Sequence, residues 1–143
     1  GMSLGSYGTM DVVGTYPDRI AAAVSICGGG TPALAKNIAK VPVWVLHGNK
    51  DYIVKISESE KIVNAVKKAN PKAPIIFTVI KGGTHGSVEN LFHKNETYEW
   101  LFKQNKNNPE LAFDLPLDYL EEENEQQTEQ ETPNASIPEN QTK

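Results

Sequence analysis

A single cysteine, Cys27, in 143 residues excludes an internal disulfide and any metal site built on several thiolates. No run of roughly 18 apolar residues is present, so no stretch is long and apolar enough for a transmembrane helix, and no membrane partner is expected. Residues 1–20 lack the basic segment and apolar run of a secretory leader. The compartment stays open, a secreted or periplasmic parent included. Basic clusters interleaved with aromatics are missing as well, which argues against nucleic acid as a partner. Gly28-Gly29-Gly30 has no P-loop lysine, and no G-x-G-x-x-G follows an apolar run. No internal repeat is visible.

The formal net charge of −4 belongs to one end of the chain. Residues 121–143 hold seven glutamates and one lysine, which leaves the other 120 residues near +2 with scattered lysines. A small neutral or weakly anionic substrate suits that surface better than a polyanion. Beyond residue 120, Ile137 is the only large apolar residue among Glu, Gln, Asn, Thr and Pro. Such a segment cannot bury enough apolar surface to offset its ordering entropy, so 121–143 is expected to be a disordered acidic tail. Asn134 and Asn140 match the glycosylation sequon, as polar tails do by chance.

Within residues 1–120 three short apolar runs read as buried parallel strands: 21–27 (AAAVSIC), 41–46 (VPVWVL) and 75–80 (IIFTVI). Each is followed by a glycine-bearing turn. Ile56, Val63 and Val66 recur at helical spacing between the second and third runs. Asn95 is a candidate N-cap for a helix through Gln104, with Tyr98, Leu101 and Phe102 as its inner face. Strands alternating with helices predict an α/β fold with a parallel sheet of about three strands. The expected division is a partial α/β domain over 1–106, an extension over 107–120 and the tail. The chain opens on a glycine-rich turn with no strand before it, so further sequence upstream is expected.

Gly1-Met2-Ser3-Leu4-Gly5 matches G-x-S-x-G, in which a serine sits on a strained strand-to-helix turn between glycines that spare a Cβ clash. The residues through Tyr16 read as the helix that such a turn opens. A glycine-rich N-terminus is the plainer alternative, since the pentapeptide is common by chance. Asp51 follows the second strand, either as a turn aspartate accepting backbone N–H groups or as the acid that orients a histidine. His85 follows the third, in Gly82-Gly83-Thr84-His85-Gly86. All three candidates stand where open α/β sheets place their sites, at the carboxyl ends of strands. Their chain order, Ser then Asp then His, is that of one hydrolase class. His47 reads as a hydrogen-bonded core residue, Cys27 as a small buried one or a pocket wall, and Trp44 and Trp100 as core. A metal trio of His47, Asp51 and His85 has no recognised ligand spacing, so no metal or cofactor is expected.

GMSLGSYGT, YPDRIAAAVSICGGG, VPVWVLHGNKDYIV, GGTHGS and YEWLFKQ together resemble successive blocks of dienelactone-hydrolase-like esterases, bacterial proteins often described as predicted peptidases and including polysaccharide-deacylating carbohydrate esterases. The resemblance covers roughly residues 1–105. It implies the C-terminal half of an α/β-hydrolase, with Ser3 as nucleophile, Asp51 as acid, His85 as base and the Leu4 N–H as one oxyanion donor. The other donor would lie on an earlier loop. Ser6 departs from the family, where a glycine is common. The implied reaction is serine-dependent cleavage of a small-molecule or polysaccharide-linked ester. The alternatives are a serine peptidase of the same fold and a catalytically silent fragment. An apolar strand edge lacking its neighbour predicts self-association.

Overall fold

A computed structural model describes residues 1–116. The acidic tail expected over 121–143, and the last residues of the 107–120 extension, lie outside the described residues.

Helix α1 (Leu4–Thr15) comes first. Strand β1 (Ala23–Ile26), helix α2 (Ala35–Ile38), strand β2 (Val43–Gly48), helix α3 (Ile56–Ala69) and strand β3 (Ile75–Ile80) follow, and helix α4 (Asn95–Lys103) closes the order. The strands lie in the order β1-β2-β3, all parallel, with Ala23 opposite Val43 and Val43 opposite Ile75. Successive side chains on a strand point to opposite faces, and β2 divides its residues accordingly. Val43 and Val45 join Met10, Val13, Ile38, Ile62, Val63 and Val66 beneath α1, α2 and α3. Trp44 and Leu46 join Val24, Ile26, Leu91, Trp100 and Ala112 on the α4 side. The result is a sheet between two helical layers, with β2 buried on both faces. Each fully buried aliphatic side chain here contributes about 1.5–3 kcal/mol.

The strand expected over 21–27 is shorter, because Cys27 turns off at φ 49. The second begins after Pro42 and runs on through His47 and Gly48, which pair with Val79 and Ile80. In α4, Asn95 is the first helical residue, and Lys94 stands at the cap without a side-chain bond. Its inner face agrees with expectation at Leu101, which packs against the core, and differs elsewhere: Thr97 and Trp100 are buried, whereas Phe102 is 84% exposed. The helix docks through the Trp100 ring, 5.4 Å from that of Trp44 and tilted by 56°. Trp100 Nε1–H also bonds the Ala112 carbonyl, which draws residues 109–113 back onto the core.

Candidate active site

Ser3 carries the first signature of the site. Residues 1–3 run parallel to the end of β1. The Gly1 amine donates to Val24 O (2.8 Å), Ile26 N–H to Gly1 O (2.9 Å) and Ser3 N–H to Ile26 O (2.9 Å). After this strand end the chain enters α1 at once. Ser3, between the two, has φ 54 and ψ −122, a region that residues with a Cβ avoid unless their surroundings enforce it. Gly1 must be small, since a Cβ there would come within 2.3 Å of Gly5 O. The same argument fails at Gly5, where a Cβ meets nothing within 4 Å among the described residues. Leu4 opens the helix, so its N–H is one of the first-turn donors that no helical carbonyl takes up. Ser6 is fully buried and bonded to Ser25 Oγ at 2.5 Å.

Asp51 and His85 meet. His85 Nδ1 lies 2.6 Å from Asp51 Oδ2. The two oxygens differ in their partners: Oδ2 faces His85, while Oδ1 accepts the N–H groups of Ile53 and Val54, each at 2.9 Å, as a turn aspartate does. With Asp51 ionised, Nδ1 is the protonated ring nitrogen and Nε2 keeps its lone pair. Burial by itself would push the Asp51 carboxyl up. Hydrogen bonds from His85, from the Val54 and Ile53 N–H groups and from the Cys27 thiol outweigh it, and the carboxyl sits below its ordinary value. Two glycines let the acid and histidine loops touch. A Cβ on Gly48 would come within 2.2 Å of Gly83 O, and that carbonyl accepts the Lys50 N–H at 2.9 Å. Gly82, at φ 73, donates its N–H to Asn49 Oδ1.

Ser3 closes the constellation less tightly. Its turn, the Asp51 loop and the His85 loop all stand at the carboxyl end of the sheet, yet no hydrogen bond joins Ser3 Oγ to His85 among the described residues. Such contacts are often long before substrate binds. Cys27 Sγ, a His47 nitrogen and an Asp51 oxygen lie within 4.8 Å of one another, a set with the chemistry of metal ligands. These donors are committed elsewhere. Both His47 nitrogens have partners, and Asp51 is engaged at both oxygens. The Cys27 thiol is pushed up to about 12, chiefly by burial. Of the buried polar layer of Ser6, Ser25, Ser59 and His47, sequence reasoning had His47 as a hydrogen-bonded core residue, as the structure has it, and left out Ser25 and Ser59. The one signal pointing to it was His47, four residues before Asp51.

A thermostable esterase of solved structure is 31% identical, superposes with a TM-score of 0.66, and is matched over 73% of this chain and 30% of its own. The chain is part of an α/β-hydrolase fold. An acylaminoacyl peptidase from Pyrococcus horikoshii shares that fold at 17% identity and a TM-score of 0.63, over 74% of this chain and 23% of its own. An acyl-protein thioesterase 2 from Zea mays shares it at 20% identity and a TM-score of 0.50, over 71% of this chain and 53% of its own. This α/β-hydrolase segment therefore spans less than a third of the esterase. No family model and no curated protein matches it.

Proposed function

We propose that the protein carrying this chain is a serine hydrolase that cleaves carboxylic esters, with Ser3 as nucleophile, His85 as base and Asp51 as the acid that orients it. One observation carries the reading: a serine held at φ 54 on a strand-to-helix turn, at the sheet end where Asp51 grips His85 Nδ1. Ser3 Oγ attacks the ester carbonyl while His85 Nε2 takes its proton. The Leu4 N–H and a second donor hold the oxyanion, each worth about 2.7–4 kcal/mol in comparable sites. Collapse of the tetrahedral intermediate expels the alcohol, which leaves with the proton from His85. Water, deprotonated by the same nitrogen, then releases the acid and regenerates Ser3. The chemistry needs no metal or cofactor. Small-molecule esters and polysaccharide-linked acyl groups are the substrate classes in view.

The test is to assay the full-length protein and its Ser3→Ala variant on p-nitrophenyl esters and on aminoacyl anilides. Ester turnover that falls to background in Ser3→Ala supports the reading. Anilide cleavage in preference to ester cleavage would make the protein a peptidase. Wild-type turnover in Ser3→Ala would remove Ser3 from the reaction.

A further inference from the structure

One buried group at this end of the sheet has no part in the reaction just described. His47, the fifth residue of β2, is fully buried, and its ring is bonded on both sides. Nε2 lies 2.9 Å from the Val54 carbonyl, which can only accept, so Nε2 carries a proton. Nδ1 lies 2.7 Å from Ser59 Oγ, and the Ser59 hydroxyl, with one hydrogen to give, also stands 2.7 Å from Gly28 O.

These partners are not scattered through the core. Val54, whose carbonyl takes the His47 proton, gives its own N–H to Asp51 Oδ1. The same Nε2 is 3.4 Å from Asp51 Oδ2, the oxygen bonded to His85. At the far side, Gly28 lies directly under the serine turn, since a Cβ on it would come within 2.9 Å of Ser3 O and 2.3 Å of Ser6 Oγ. The titratable groups facing the ring are Asp51 from the acid loop and Cys27 from the end of β1. Helix α3 contributes the uncharged Ser59.

We propose that His47 is a positioning residue of the triad, fixing the Asp51 carboxylate through Val54 and tying the acid loop to the serine turn through Ser59 and Gly28. The proposal rests on the proposed function for its link to turnover, but its structural claim is measurable without turnover. An Asp51 held less firmly grips His85 Nδ1 less well, so the proton shared between them loses its low-field position when His47 is lost.

The experiment compares the full-length protein with His47→Phe, His47→Gln and Ser59→Ala. It follows the low-field NMR proton of the Asp51–His85 hydrogen bond and kcat against KM. In His47→Phe the low-field signal is expected to weaken. The expected kcat loss is roughly 10- to 100-fold, with KM within about twofold. His47→Gln, which keeps an N–H able to reach Val54 O, recovers part of each. Ser59→Ala keeps the ring and carries the test if His47→Phe does not fold, with a smaller change in the same direction. Folded variants that retain the signal overturn the proposal. Variants that lose the signal, in a protein with no Ser3-dependent turnover, leave the positioning role standing and remove the hydrolase reading instead.

Discussion

Asp51 gives one oxygen to its own turn and the other to His85, and substitutions can separate the two contacts. Asp51→Asn keeps an oxygen able to accept from Ile53 and Val54 but no longer stabilises a protonated His85. The expected loss in kcat is on the order of 10³–10⁴, with the fold intact by circular dichroism. Acid tolerance follows from the same carboxyl. Its folded pKa lies below its unfolded value near about 3.9, so the stability it contributes is present above that value and is lost as pH falls through the folded one. Urea melts from pH 6 down to about pH 3 should therefore show the wild type losing more stability than Asp51→Asn. Equal losses would detach Asp51 from the acid response. The sequence marks Ser3, Asp51 and His85 because each follows a strand in a distinctive short motif. It cannot mark Ser59 or Gly28, which matter only through neighbours far along the chain.

At the scale of elements, β2 and its two flanking loops decide the geometry. Gly48 ends β2 with no room for a methyl group, because the obstacle is the Gly83 backbone rather than a pliable side chain. Gly48→Ala should destabilise the protein by ~1–3 kcal/mol and reduce turnover more than its loss of stability explains, since the shift separates the Asp51 and His85 loops. Chemical denaturation beside an ester assay checks both, and turnover that falls no further than the folded fraction would contradict the second. The apolar runs of β1, β2 and β3 and the period of α3 were legible because burial imposes them locally. The face of α4 was legible only at Leu101. Tyr98, Leu101 and Phe102 have the right spacing for an inner face, but the pairing of Trp100 with Trp44 turns the helix so that Phe102 faces water. That preference depends on a partner in another element, and periodicity within α4 carries no trace of it.

For the whole molecule, the open side of the sheet matters most. Beyond Gly1 the edge of β1 borders an apolar cleft of about 390 Å³ lined by Ile20, Ala22, Val24, Phe92, Tyr98 and Leu101. Exposed strand edges beside apolar surface favour pairing with another chain. The 143-residue chain on its own is therefore expected to elute from a sizing column as dimers or larger species, in amounts that grow with concentration. It should also hydrolyse p-nitrophenyl acetate little faster than its Ser3→Ala form. A monodisperse monomer with strong Ser3-dependent turnover would make this segment a self-sufficient hydrolase.

The pairing of residues 1–3 with β1 also orders events in time. The serine turn cannot take its strained form until a strand some twenty residues later has been laid beside it, and the Asp51–His85 bond spans 34 positions. Local helices form in microseconds, whereas contacts between distant parts of a parallel sheet come late. During refolding from denaturant, helical ellipticity should accordingly return well before the low-field His85 proton. The reactive centre would then be the last part of the molecule to mature, and a folding intermediate already rich in helix would still be chemically idle.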